Sequence, residues 1–195
     1  MDYLEGFDAG PPITTLMANA WVPSYTVRSL PRRLTEEELA RVQARILIRM
    51  KTKMKRCGRA LAELYLFIGR DKEWYSLTSP IHRLMASGET KDALRMFIRS
   101  VTGTMPVYGI IIESEVWMAP NGKPGPIAGR PDAVEAIMVT LETKAQRSML
   151  FAETIRGRSG QIRTFRDHSR LEAENDEMRL EGRLFDFFAL DTDAN

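Results

Sequence analysis

The side chains of this chain best suited to chemistry are cationic. Arg45, Arg49, Lys51, Lys55, Arg56 and Arg59 recur within one short stretch, and Arg156, Arg158 and Arg163, with Arg166 and Arg170, gather around Phe165. A guanidinium presents a planar fork of donors that matches phosphate, an ammonium adds a point charge, and an aromatic ring can stack on a base. Such groups bind anions without making or breaking bonds. Other reactive types are sparse. Cys57 falls on an apolar stripe, where a packing role is expected rather than a nucleophile's. His82 and His168 stand in unrelated contexts, Ser159 has no nucleophile elbow around it, and Asn121-Gly122-Lys123-Pro124-Gly125 lacks the spacing and following helix of a phosphate loop. On this reading the chain has no catalytic residue, no metal site and no cofactor.

One motif runs against that reading. Pro131-Asp132 followed by Glu142-Thr143-Lys144 resembles the signature of the PD-(D/E)xK nuclease superfamily. The resemblance implies carboxylates that hold Mg²⁺ and a lysine that orients or activates the attacking water, with Glu113 or Glu115 as a further ligand. Yet Val134 to Leu141 reads as one uninterrupted strand, so ten positions at ~3.3 Å each hold the two carboxylates ~33 Å apart. A metal needs them within a few ångströms. Only a turn hidden near Ala136 to Met138 would reconcile the two, and a Mg²⁺-dependent nuclease is therefore the least favoured function.

The elements that must carry these side chains are legible to different degrees. Thr35-Glu36-Glu37-Glu38 has the form of a reciprocal helix cap, with Leu34 and Leu39 at the staple positions and three glutamates at the positive end of the dipole. Leu39, Val42, Ile46, Met50, Met54 and Cys57 then recur at spacings of three and four, which predicts a helix with a buried stripe, ended by Gly58. The basic residues lie on its other face, and beyond Arg41 they find no acidic partner at i±4. Leu64 to Ile68 and Trp74 to Thr78 flank the polar Gly69-Arg70-Asp71-Lys72 and predict a hairpin, although Leu61, Leu64 and Ile68 would also extend the first helix.

Thr90 is the expected cap of a second helix, with Leu94, Phe97, Ile98 and Val101 buried and Gly103 as its stop, preceded by a short turn at Ile81 to Ala86. Val107 to Ile112 is a strongly apolar strand that runs out through Glu113, Glu115 and Trp117 toward an exposed end, and Pro120 to Pro131 is a loop. Val134 to Glu142, Met149 to Ile155 and Gln161 to Phe165 follow as strands with short connections, hence antiparallel neighbours. The fold class is α+β: a mostly antiparallel sheet of about five to six strands packed by two main helices. This order, with Glu113-Ser114-Glu115-Val116-Trp117-Met118, Arg130-Pro131-Asp132 and Glu135-Ala136, resembles small uncharacterised proteins of bacteria and their phages. That resemblance implies an α+β sheet and no particular activity.

The 195 residues, 44% hydrophobic and 28% charged, suit one buried core. Three regions are read: an extended arm over residues 1–33, an α+β domain over 34–170, and an acidic tail over 171–195 with a terminal strand or docking segment. The single cysteine excludes an internal disulfide, no apolar run approaches a membrane span, and the start lacks a signal-peptide pattern, so a cytoplasmic place is expected. Charge is segregated: Arg28 to Arg59 holds 11 basic and 3 acidic residues, a net +8, while Leu171 to Asn195 holds 2 and 8, a net −6. Trp21 and Tyr25 of the arm and Phe185 and Phe187 of the tail are costly to leave in water and are candidate partner-docking residues. The leading expectation is a non-catalytic binding or assembly protein, self-associating or docking on another protein. The alternative is a nucleic-acid binder that uses the Arg45 to Arg59 helix face and the Arg156 to Arg170 hairpin.

Overall fold

The Glu38 amide donates to the Thr35 hydroxyl at 3.3 Å and the Thr35 amide to the Glu38 carboxylate at 2.9 Å, so the expected reciprocal cap opens helix α1 (Glu36–Cys57). Gly58 closes it at φ 73°, a left-handed conformation that glycine adopts without steric cost. The computed structural model describes residues 25–118, 133–167, 171–172 and 187–188. Within them the other elements are β1 (Thr26–Leu30), β2 (Glu63–Arg70), β3 (Glu73–Pro80), a 3₁₀ turn (His82–Met85), α2 (Gly88–Thr104), β4 (Val107–Met118), β5 (Val134–Glu142), β6 (Arg147–Arg156), β7 (Ile162–Asp167) and the two-residue β8 (Leu171–Glu172). No helix among the described residues is long and apolar enough to cross a membrane.

The fold is α+β, with strand order β1-β3-β2-β4-β5-β6-β7 and β8 added on β6, every pairing antiparallel. The β2–β3 hairpin forms as expected, Arg70 pairing with Glu73 across Asp71 and Lys72, whose φ values of 49° and 69° give the twist that a two-residue connection needs. One helix packs on each face. Leu64, Leu66 and Ile68 of β2 join Leu94, Phe97, Ile98 and Val101 of α2, while Tyr65 and Phe67 face Leu39, Ile46, Met50 and Met54 of α1. Cover on both faces explains why β2 and the first half of β4 are apolar at nearly every position despite being antiparallel. The approach of α1 is close at Gly109, where an added Cβ would stand 2.9 Å from Leu39 Cδ1. A side chain there would force the Leu39 methyl groups to move.

Several expectations need correction. The strand count exceeds five to six, because Thr26–Leu30, which lacks alternation, pairs with β3 at the sheet edge and Leu171–Glu172 adds a short strand. The second helix begins earlier: Ser87 is its cap and Thr90 is the N3 partner of a reciprocal cap. Gly103 does not stop that helix, which runs to Thr104. Cys57, expected in the core, is exposed at the last position of α1, beside the Gly58 cap, and the buried stripe ends at Met54. Glu113, expected toward an exposed end of β4, is fully buried. Trp21, Phe185, Arg170, His168, Asp132 and the loop Pro120 to Pro131 lie outside the described residues.

Candidate functional site

Alternation along β4 puts Glu113, Glu115 and Trp117 on the same face as Ile111, the face that α1 covers. Glu113 is sealed beneath the helix, Glu115 accepts the Ala60 amide just past the Gly58 cap, and Trp117 emerges 54% exposed. A buried carboxylate must be paired, and the partner comes from the basic face of α1: Arg49 Nη2 lies 2.6 Å from Glu113 Oε2. Arg49 also lies 3.2 Å from Glu63 Oε2 and bonds the Tyr65 hydroxyl, which in turn donates to Glu63 and stands 3.3 Å from Glu113 Oε2. Lys53 Nζ reaches Glu63 Oε1 at 3.1 Å.

This network pulls its two carboxyls apart in acidity. Burial pushes Glu113 above the ordinary carboxylate value although the Arg49 charge draws it down. Burial would raise Glu63 too, but hydrogen bonds from Tyr65 and Lys53 and the charges of Lys53 and Arg49 leave it lowered. Burial and the Glu113 charge raise the Tyr65 phenol, so it stays a neutral donor. Burial opposes the Arg49 charge, yet Tyr65 and Glu113 more than offset it and the guanidinium is held charged. Glu113 Oε1 has no hydrogen-bond partner among the described residues.

Among the described residues two clefts flank α1. The first, of about 500 Å³, lies between α1 and the β1–β3 edge, with Arg49, Glu63 and Tyr65 at one end and Arg28 at the other. The second, of about 350 Å³, runs between the C-terminal half of α1 and edge strand β7, lined by Ile48, Lys51, Thr52, Lys55 and Arg56 on the helix and by Thr164 and Phe165 on the strand. Lys55 Nζ sits over the Phe165 ring, 5.9 Å from its centroid. Cations of α1 and an aromatic residue of β7, more than one hundred residues apart in the chain, thus line one cleft.

The expected binding residues divide by how their charge is used. Arg49 belongs to the buried network, Lys51 pairs with Asp167, and Arg156 grips Glu135 through Nε and Nη2 at 2.7 and 2.6 Å while also bonding Gly160 O. Arg45, Arg56, Arg59, Arg158 and Arg163 are exposed and make no ion pair among the described residues. Tyr25 is exposed beside edge strand β1, whereas Phe187 is buried in the α2-side core. Sequence reading missed the acidic partners of Arg49, Lys51 and Lys53, because all three come from strands rather than from i±4 on the helix.

Glu142 of the nuclease-like motif is buried at the end of an unbroken β5, where Oε1 accepts the amides of Phe187 at 2.8 Å and Phe188 at 3.1 Å and faces Arg147 at 3.5 Å. Among the described residues no group of three or more His, Cys, Asp or Glu is placed to hold a metal ion. Comparison with protein-family models, with curated proteins and with solved structures finds no match to this chain.

Proposed function

We propose that the protein is a binding protein for single-stranded nucleic acid, taken in the cleft between α1 and β7. The observation that carries this reading is the convergence of Lys51, Thr52, Lys55 and Arg56 with Thr164 and Phe165 on one groove. Arg45 and Arg163 are exposed on the two elements that border it, and neither has an ionic partner among the described residues. A groove bounded by one helix and one strand, with an aromatic ring in its lining, suits a single backbone whose bases can stack. Contacts of this kind neutralise phosphates and carry little sequence information, so the binding is expected to be strong at low salt and sequence-tolerant.

Fluorescence anisotropy with a labelled oligothymidylate tests this. With about four phosphates neutralised, log K should fall against log salt with a slope near −3, and Lys55→Ala with Arg56→Ala should flatten it by about 1.4. A slope unchanged in the double variant, or no binding at low salt, would sink the proposal.

Self-association is a second reading, favoured by a specific feature. Among the described residues β1 is the outermost strand at one edge of the sheet; its only charge is Arg28, and it exposes Val27 (38%) and leads from the exposed Tyr25 (37%). Unprotected edges of this kind pair readily with another strand. Light scattering after size exclusion should then give a dimer for the native chain and a monomer for Val27→Lys. A monomer in both cases removes this reading and leaves the first intact.

A further inference from the structure

The larger cleft shares no lining residue with the one at β7, and its polar groups are arranged differently. Strand register sorts its floor into rows. Arg28, Ser76 and Phe67 are paired neighbours in the first row, Thr26, Thr78 and Tyr65 in the second, and Pro80 and Glu63 in the third. The hydroxyls of Thr26, Ser76 and Thr78 and the guanidinium of Arg28 have no side-chain hydrogen bond or ion pair among the described residues, so four donors in one cleft stand uncommitted. Leu30, Leu34, Val42 and Phe67 supply an apolar wall. At the far end Glu63 already balances Lys53 and Arg49 and would repel an anion while accepting a donor.

We propose that this cleft binds a small organic anion of nucleotide size, with a phosphate or carboxylate held by Arg28 and the Ser76 hydroxyl in the first row, a body that lies over the second row, where Thr26 and Thr78 offer hydroxyls, and a hydrogen-bond donor directed at Glu63 in the third. Four residues along β2 separate the anion row from Glu63, or ~13 Å at ~3.3 Å per residue, which matches the span of such a molecule. A cleft of about 500 Å³ falls within the usual range for small-molecule sites. The apolar wall supplies burial, the guanidinium and hydroxyls supply charge-assisted hydrogen bonds, and Glu63 fixes which end of the ligand points inward. The inference does not depend on the nucleic-acid reading, since it concerns a separate set of side chains.

Adenosine monophosphate is a suitable probe because it joins a phosphate, a flat base and an exocyclic amine. Calorimetric titration of the full chain should show millimolar or tighter binding, with adenosine and inorganic phosphate each at least tenfold weaker. Arg28→Ala, an exposed position that leaves the fold unaltered by circular dichroism, should weaken the nucleotide at least tenfold, whereas Lys55→Ala with Arg56→Ala should not change it. Absence of binding at millimolar nucleotide would overturn the proposal. So would equal affinity in Arg28→Ala, or loss of binding in the Lys55 and Arg56 double variant, which would place the nucleotide in the β7 cleft instead.

Discussion

Glu113 and Gln43 show two ways of burying polarity under the same helix. Gln43 is fully satisfied: its Nε2 donates to Val139 O at 2.8 Å and Ser148 O at 3.1 Å, and its Oε1 accepts from the Ser148 hydroxyl at 3.0 Å. Glu113 keeps one oxygen without a partner among the described residues, while the other accepts from the Arg49 guanidinium and, more distantly, from the Tyr65 hydroxyl, both of which also serve Glu63. Its raised pKa means that the folded chain holds a proton here more tightly than the unfolded chain does. Stability from this group is therefore fully present below the ordinary carboxylate value of 4.5 and is lost as pH rises through the raised folded value. Urea unfolding should show stability rising as pH is lowered from neutral toward that value, and Glu113→Gln should remove this rise. An identical pH slope in the variant would mean that Glu113 is charged throughout and that Arg49 outweighs burial. None of this was legible in the sequence, because Glu113-Ser114-Glu115 alternates as a solvent-facing strand end does, and only the path of α1 decides otherwise.

Elements whose signals are local were readable in advance. The Thr35–Glu38 cap, the Gly58 stop and the polar turn between β2 and β3 are set by residues within a few positions of one another, and each forms as the sequence indicates. Where tertiary pairing decides, the pattern is silent. Thr26–Leu30 follows a proline-bearing stretch and has no alternation because four of its five residues are exposed, and β3 alone makes it a strand. The start of α2 was displaced because Ser87 and Thr90 can each serve as a cap, and the reciprocal pair uses Ser87 as cap with Thr90 at N3. The basic face of α1 was visible as charge, but its function was not: Arg49, Lys51 and Lys53 are drawn down by strand carboxylates, which leaves Arg45, Lys55 and Arg56 as cations free of such pairs among the described residues.

At the scale of the whole molecule, the sheet needs cover on both faces, and the cover on the α2 face is completed from the far end of the sequence. Phe187 and Phe188 are buried in the core with Leu94, Phe97, Ile98 and Val101. Their backbone is fixed from two sides, the Thr102 hydroxyl donating to Phe187 O at 2.8 Å and both amides donating to Glu142 Oε1. A charged acceptor for two buried amides is a strong anchor, and its removal leaves both donors without that partner. Glu142→Ala should therefore destabilise the fold by about 3 kcal/mol in urea titration and speed amide exchange at Phe187 and Phe188 at least tenfold. Lys144→Ala, two residues on and exposed, should stay within about 0.5 kcal/mol of the native chain. If Glu142→Ala left stability and both amides unchanged, the terminal segment would not be held by this carboxylate. If it behaves as expected, the residue that gives the chain its nuclease-like look serves to close the second core layer, and the clefts beside α1 are the described surfaces shaped to hold a ligand.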